Sequence, residues 1–174
     1  TRFGLEAGEC LEFNTALNEL KNYSASSKKW YLSLETSGLW ILKADLKLQQ
    51  KKIERDGQFE FPSGILKIID IEFAQDSLKN TNSSIYFLPH EKFIIRAFES
   101  GDKIQLFGNR ANKKIGDIFT DQHVPVCLRK IHPIICREDG EIMCVPGIKS
   151  SEKTRLEEGQ KAFKIEWYPY FAYY

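Results

Sequence analysis

The stretch HPIICREDGEIMCVPG (residues 132–147) holds two apolar runs separated by a turn signal. The first run ends at Cys136, and the second extends from Ile142 to Val145. Asp139–Gly140 lies between them, and an Asp-Gly pair favours a tight hairpin turn because glycine tolerates a positive φ. We therefore predict a β-hairpin here, and we look to the flanking sequence for the strands that would pair with it.

Apolar residues alternate with polar ones on both sides of this hairpin, which predicts further strands. The strands predicted in this way lie within residues 30–34, 40–48, 65–73, 85–87, 91–98 and 161–168. In the third of them, the pattern places Ile65, Ile69, Ile71 and Phe73 on the buried face, which Lys67 interrupts. A polar stretch at residues 78–84 is the best candidate for a loop.

Helical spacing is confined to short stretches. Residues 112–122 predict a short helix with Asn112 as its cap, and Pro125 and Pro133 bracket a second helical turn. Residues 11–22 have helical spacing too, and they resemble the tail of a helix. The predicted fold class is therefore α+β, predominantly β, with mixed or antiparallel sheets and two or three short helices.

The chain of 174 residues has a formal net charge of +1, so no overall charge attracts it to nucleic acid or to a membrane. The charge is nevertheless uneven. Residues 21–55 carry an excess of five positive charges, and residues 56–78 an excess of four negative ones. Residues 101–130 hold six basic residues against three acids: Lys103, Arg110, Lys113, Lys114, Arg129 and Lys130. Basic residues at a turn and a helix start suit a phosphate backbone, although scattered cations also solvate ordinary surfaces.

No apolar run approaches the roughly 20 residues of a membrane span, so no membrane partner is expected. The four cysteines include no CxxC pair, which indicates a reducing, cytoplasmic compartment. Cys127, His132, Cys136 and Cys144 are a conceivable metal site, but zinc sites usually present two close pairs. The apolar surroundings of Cys136 and Cys144 favour burial as small hydrophobic residues, and we assign no metal ligand.

No residue is assigned a catalytic role. The sequence has no GxGxxG, HExxH or GxSxG motif, and GNRANKK (residues 108–114) lacks the GK[ST] ending of a phosphate-binding loop. An unrecognised enzyme site near Cys127, His132 and Asp121 is a weaker alternative, because no nucleophile–base spacing supports it.

Residues 101–155 carry a specific order of features. These are Gly101–Asp102, a basic loop at 108–114, Val124–Pro125, Arg129, the Pro-led run 133–136 and the strand 142–147. In this order and spacing, the stretch resembles the C-terminal domain of tRNA(Ile)-lysidine synthetase. The closing FKIEW (residues 163–167) fits the same domain, and residues 38–73 are similar to the segment that precedes it.

The resemblance implies a fold shared with a domain of the phenylalanyl-tRNA synthetase beta subunit. It implies that residues 1–24 end a helical middle region, that 25–90 form a β-rich segment and that 91–174 form a C-terminal tRNA-binding domain, with 25–174 as one unit the alternative. The chain starts at Thr1 and its single methionine is Met143, so we expect the rear part of a longer enzyme.

The family's enzyme uses ATP, with Mg²⁺, to join lysine to the wobble cytidine of an isoleucine tRNA. Its catalytic domain has a Ser-Gly-Gly-x-Asp-Ser motif, which this sequence lacks. We therefore expect this chain to be inactive alone and to bind no cofactor. The partners that the resemblance implies are the tRNA acceptor stem and the N-terminal catalytic domain of the same polypeptide, and it leaves a homodimer open.

An A-form acceptor stem is read through its shape, its 2′-hydroxyls and its phosphates. We predict that Arg110, Lys113 and Lys114 contact phosphate and that Lys103, Arg129 and Lys130 extend this patch. Arg129 has an alternative role, which is to pair with Asp117 or Asp121 and fix the loop. The alternative for the whole chain is a stand-alone protein-interaction module that does not bind RNA. Its contact would use Trp40, Phe61 or the aromatic tail WYPYFAYY (residues 167–174).

Overall fold

The computed structural model describes residues 12, 15–19, 22–27, 29–35, 38–73 and 85–171. The first strands are β1 (Tyr23–Ser26), β2 (Trp30–Glu35), β3 (Gly38–Lys43), β4 (Lys51–Ile53), β5 (Gly57–Phe61), β6 (Gly64–Glu72) and β7 (Ile85–Pro89). The later strands are β8 (Phe93–Ala97), β9 (Lys103–Gln105), β10 (Asn112–Lys114), β11 (Pro133–Cys136), β12 (Ile142–Val145), β13 (Lys149–Ser150) and β14 (Lys161–Pro169). Helices cover Ile115–Asp121 and Val126–Arg129, a 3-10 turn covers Glu152–Thr154, and residues 15–19 are also helical.

Two antiparallel sheets enclose one of the two large cores formed by the described residues. The five-stranded sheet has the order β13-β12-β11-β8-β4, and the four-stranded sheet has the order β5-β6-β14-β7. Alternate residues of β14 point into the space between them, including Phe163 and Ile165, which are fully buried. They meet Ile95 and Ile135 from the facing sheet. The fold is thus predominantly β with a few short helices, as predicted.

The second large core lies on the other face of β11 and β12. There Ile134 and Ile142 pack against Phe119 and Leu128 from the two helices. Because both faces of these strands are covered, their sequences are apolar runs rather than alternating patterns. The predicted hairpin is confirmed, with Ile135 opposite Cys144 and with Gly140 at φ 90° in its turn.

A three-stranded sheet, β1-β2-β3, packs against the helical turn Val126–Arg129. Leu42 of β3 joins the helical core, and the Glu35 carboxylate accepts the Val126 N–H at 3.0 Å. This carboxylate comes from a strand 91 residues away and satisfies one of the unpaired donors at a helix start. The sheet is therefore fastened to the helices by both apolar and polar contacts.

Residues on both sides of position 90 share the two main sheets. β8 pairs with β4, where Phe93 lies opposite Ile53, and β14 pairs with β6 from Lys161 opposite Glu72 to Pro169 opposite Gly64. Among the residues that the structure describes, no helix is long and apolar enough to cross a bilayer.

Two local predictions are wrong. Asn112 does not cap a helix, because residues 112–114 form β10 and the helix begins at Ile115 after an extended Lys114. In β6 the buried residues are Leu66 and Ile68, on the face opposite to the one that was predicted. Several predictions lie outside the described residues, namely those on Cys10, on the loop 78–84 and on the last three residues of the tail.

Candidate nucleic-acid interface

The strands β9 and β10 form a two-stranded ribbon that carries three of the six predicted phosphate contacts. Lys103 lies directly opposite Lys114, and Ile104 lies opposite Lys113. Residues that are opposite in an antiparallel pair project from the same face, so Lys103 and Lys114 share one face of the ribbon. Both are exposed, whereas Ile104 is buried on the other face. The ribbon therefore presents two adjacent cations to solvent.

Two like charges placed directly opposite each other destabilise a strand pair. Within residues 85–171 no carboxylate forms an ion pair with Lys103 or Lys114; the neighbouring Asp102 is instead paired with Arg96. We call Lys103, Lys114 and the exposed Arg110 at the tip of the loop the ribbon cations. An anion that binds across the ribbon would relieve the repulsion between Lys103 and Lys114.

Lys113 has a different environment from its neighbours. Its Nζ contacts the Asp121 carboxylate at the end of the following helix. Both side chains are about half exposed, so the pair is a surface ion pair, of the kind that contributes at most about 1 kcal/mol. The pair still neutralises the charge of Lys113, which therefore offers less to a phosphate than Lys103 or Lys114 does.

The loop between β9 and β10 is held by hydrogen bonds. Gly108, at φ 75°, donates its N–H to the Glu152 carboxylate at 2.5 Å, and the Asn109 side chain accepts the Ala111 N–H at 3.2 Å. The Gly108 N–H and the Arg155 guanidinium lower the pKa of Glu152. The loop thus has a defined shape, with Arg110 at its outer end.

An aromatic side chain lies beside the ribbon cations. Phe107 is 53% exposed, and the Arg155 guanidinium lies over its ring at 4.8 Å from the centroid. Arg155 is positioned by Glu152, which it contacts at 2.6 Å. Arginine over an aromatic ring is a surface on which nucleobases stack. This pair could not be predicted from the sequence because the two residues are 48 positions apart; the only signal was an apolar Phe107 next to the loop glycine.

A bidentate ion pair between Arg96 and Asp102 fixes the start of the ribbon. Both guanidinium nitrogens of Arg96 donate to Asp102 at 2.8 Å, and the Glu99 N–H donates to the same carboxylate at 2.9 Å. Burial by itself would raise the pKa of Asp102, but these hydrogen bonds and the Arg96 charge hold it below its usual value. The Asp102 carbonyl also accepts the Ile115 N–H at 2.9 Å, so one residue joins the ribbon to the helix.

Arg129 and Lys130 belong to the helical turn rather than to the ribbon. Arg129 Nε donates to the Val124 carbonyl at 2.9 Å, so this side chain holds the loop through the backbone and not through Asp117 or Asp121 as the alternative proposed. Lys130 is exposed and lines a pocket with Lys43, a residue that the sequence analysis did not select.

The cysteines and the histidine considered for metal binding or catalysis are core residues, whereas Asp121 is exposed and paired with Lys113. Cys136 and Cys144 are at most 2% exposed, and burial raises the pKa of both thiols. Burial lowers the pKa of His132 to about 4, and its Nε2 donates to the Pro146 carbonyl at 2.8 Å. Among the described residues, no group of three His, Cys, Asp or Glu side chains converges on a common point.

The aromatic residues considered for a protein contact are mostly packed inside. Phe61 and Trp167 are at most 3% exposed. Trp40 packs against the helical core and meets Phe171 edge to face at 6.1 Å. Tyr168 and Tyr170 remain about half exposed, and each donates its hydroxyl to a glutamate.

Fold and site together define a β-rich domain with a cationic ribbon beside its helices. A family model described as "TilS substrate C-terminal domain" matches residues 93–167, which extend from the first residue of β8 to Trp167. This stretch contains the ribbon, both helices and the central hairpin. Over these residues the chain matches the TilS substrate C-terminal domain family, and the resemblance to the C-terminal region of tRNA(Ile)-lysidine synthetase is confirmed.

Curated relatives agree with this assignment. The tRNA(Ile)-lysidine synthase of Bacillus subtilis (strain 168) is 33% identical over 94 residues, which are 52% of this chain and 20% of the relative. The tRNA(Ile)-lysidine synthase of Clostridium acetobutylicum is 39% identical over 101 residues, which are 56% of this chain and 22% of the relative. The matched part of the chain thus spans about a fifth of these relatives.

A solved structure has the same fold. The structure titled "Crystal structure of TILS C-terminal domain" superposes with a TM-score of 0.61 over 71% of this chain and all of that chain, at 21% sequence identity.

Proposed function

We propose that this chain is the tRNA-binding C-terminal part of a tRNA(Ile)-lysidine synthetase and that its ribbon cations contact the phosphates of the acceptor stem. The observation that carries the proposal is the pairing of Lys103 with Lys114 on one exposed face, without a carboxylate partner among the described residues. A stable protein accommodates such repulsion more readily where an anion relieves it, and phosphates at the regular spacing of an A-form helix supply that anion.

The basic residues have different roles in the proposed contact with phosphate. Lys103, Lys114 and Arg110 contact phosphate, Lys113 contributes after it leaves Asp121, and Arg129 supports the turn through Val124. Lys130 lies outside the ribbon, at the pocket that it shares with Lys43.

The enzyme as a whole would join lysine to the wobble cytidine of an isoleucine tRNA, and that chemistry belongs to an N-terminal catalytic domain of the same polypeptide. That domain would hold the ATP and Mg²⁺, and this chain alone would be inactive. Its partners are then the tRNA and the catalytic domain, in the cytoplasm. Self-association of the chain stays a prediction.

The experiment measures the affinity of the 174-residue chain for an isoleucine tRNA over a series of salt concentrations. Lys103→Ala combined with Lys114→Ala should weaken binding and flatten the plot of log K against log salt by about two, because each lost phosphate contact removes about one unit of slope. Lys161→Ala, an exposed lysine of β14, is the control with the same type of charge loss.

Unchanged affinity and slope in the folded double variant would refute the assignment of the ribbon. A wild-type chain that does not bind tRNA at low salt would instead favour the interaction-module alternative. Incubation of the chain with ATP, lysine and tRNA should give no lysidine, and product formation would refute the assignment of catalysis to another domain.

A further inference from the structure

A pocket lies between the three-stranded sheet and the helical turn Val126–Arg129. Its volume is about 310 Å³, at the lower end of the range for small-ligand sites. Its lining includes three buried apolar residues, Leu42, Cys127 and Ile131, together with the half-buried Tyr31. Exposed residues of β1, of β3 and of the position after the helical turn also line it: Ser26, Lys43 and Lys130. The pocket therefore has an apolar interior and a cationic rim.

The electrostatics of the pocket favour an anion at the rim. Two lysines and no carboxylate are among its lining residues. Glu35 lies near Cys127, but its carboxylate is already engaged by the Ser33 hydroxyl at 2.7 Å and by the Val126 N–H. Burial, reinforced by Glu35, raises the pKa of the Cys127 thiol to about 12, so this side chain is a neutral part of the apolar interior at pH 7.

We propose that this pocket binds a single unpaired nucleotide, with the base against Tyr31 and Leu42 and the phosphate at Lys43 and Lys130. A nucleotide joins a flat, largely apolar ring to a strong anion, which matches an apolar interior with two lysines at its rim. Aromatic side chains bind bases of any sequence by stacking, and lysine binds phosphate as a point charge.

Two sources supply this chemistry, a free mononucleotide or an unpaired nucleotide of an RNA. The RNA source rests on the proposed function, and the mononucleotide source does not. The pocket also spans two parts of the chain, because Lys43 comes from β3, outside the matched family domain, and Lys130 comes from within it. Occupancy would therefore couple the three-stranded sheet to that domain.

The first experiment titrates the full chain with cytidine 5′-monophosphate and follows the amide resonances of Tyr31, Cys127 and Ile131. Saturable shifts are expected at these amides. Lys43→Ala combined with Lys130→Ala should weaken binding by about tenfold or more, because both charged contacts to the phosphate are lost. Lys161→Ala should bind like the wild type. The absence of shifts at these amides, or equal affinity in the folded double variant, would overturn the proposal.

Two further ligands test the two halves of the nucleotide. Cytidine without phosphate and inorganic phosphate without a base should each bind at least about tenfold more weakly than the monophosphate. Inorganic phosphate that binds at these amides as tightly as the monophosphate would show that the base contributes nothing, and it would overturn the proposal.

The second experiment distinguishes the sources with two RNA stems, one blunt and one with unpaired nucleotides at its 3′ end. If RNA is the source, the Lys43→Ala, Lys130→Ala variant binds the stem with unpaired nucleotides more weakly than the wild type does, and its affinity for the blunt stem is unchanged. If a free mononucleotide is the source, only binding of the monophosphate falls. The Lys103→Ala, Lys114→Ala variant should bind both stems more weakly and bind the monophosphate as the wild type does. A failure of the ribbon assignment can therefore be distinguished from a failure of the pocket proposal.

Discussion

At the scale of single residues, His132 shows how burial changes the behaviour of a common side chain. It lies edge to face with Phe119 and Trp167, and its Nε2 donates to the Pro146 carbonyl. Burial lowers its pKa to about 4, well below the usual 6.5, so the folded chain holds this histidine neutral at pH 7.

We predict a loss of stability in acid that depends on His132. The unfolded chain binds a proton at this histidine more tightly than the folded chain does. The contribution of His132 to the free energy of unfolding is therefore fully present above about pH 6.5 and is lost as the pH falls toward 4. The full effect is about 3 kcal/mol, because folding lowers the pKa of His132 from 6.5 to about 4. Urea unfolding between pH 4 and 7 should show this slope, and His132→Gln should reduce it. The same slope in the variant would contradict the prediction.

Gly147 is a second residue whose role is visible only in the folded chain. Its φ is 78°, and a Cβ at this position would lie 2.6 Å from Cδ1 of the buried Trp167. We predict that Gly147→Ala lowers the free energy of unfolding by at least about 2 kcal/mol, because both the backbone conformation and the packing are violated. Gly140→Ala is the matched control. It has φ 90° with no atom within 4 Å of the added Cβ, and it should lower the same free energy by about 1 kcal/mol. Equal losses in denaturant unfolding would rule out the contact with Trp167 as the cause.

At the scale of elements, the shape of the ribbon depends on Asp102 and its net charge depends on Asp121. Asp102 fixes the start of β9 through Arg96 and holds the helix start through its carbonyl. Asp121 masks the charge of Lys113. Changes at these two acids should therefore have opposite effects on RNA binding.

We predict that Asp102→Asn lowers the free energy of unfolding by about 2 kcal/mol, since it leaves the half-buried Arg96 without its anion. The same change should weaken tRNA binding because Lys103 follows directly. Asp121→Asn should alter stability by less than about 1 kcal/mol and strengthen binding, with a salt slope steeper by up to about one. Weaker tRNA binding by the folded Asp121→Asn chain would contradict this account of Lys113.

Some of these elements could be predicted from the sequence and others could not. The hairpin 133–145 was predictable because Asp139–Gly140 is a local turn signal and the apolar runs need burial on either face. The start of β10 was not predictable, because Asn112 is equally suited to capping a helix; pairing with Gln105 on β9 decides between the two. In β6 both faces carry apolar residues, so only the packing of Leu66 and Ile68 against the facing sheet selects the buried one.

At the scale of the whole molecule, the strands that complete each sheet come from distant parts of the chain. β14 lies between β6 and β7, and β4 closes the edge next to β8. The solved relative covers 71% of this chain, which is more than residues 91–174 alone. The core between the sheets therefore needs residues from both sides of position 90.

We predict that a fragment of residues 46–174 folds and that a fragment of residues 91–174 does not. The shorter fragment removes β4 to β7, which takes Leu66, Ile68 and Leu88 from the core around Phe163 and leaves β14 without either partner strand. Near-ultraviolet circular dichroism of Trp167 and cooperative unfolding in urea measure this difference. A cooperative transition in the shorter fragment would instead support a domain boundary at residue 90.

The sequence by itself determined the predominantly β class, the central hairpin, the burial of Cys136 and Cys144, and the order of features from Gly101 to Gly147 that marks the family. These are local signals, since turn residues and apolar runs act over a few positions. Only the tertiary structure decided which cations stand together. Strand register sets Lys103 beside Lys114 and turns Lys113 toward Asp121, and helix packing places Lys130 beside Lys43. Charge depends on neighbours in space, and those neighbours are set by long-range pairing that no short stretch of sequence encodes.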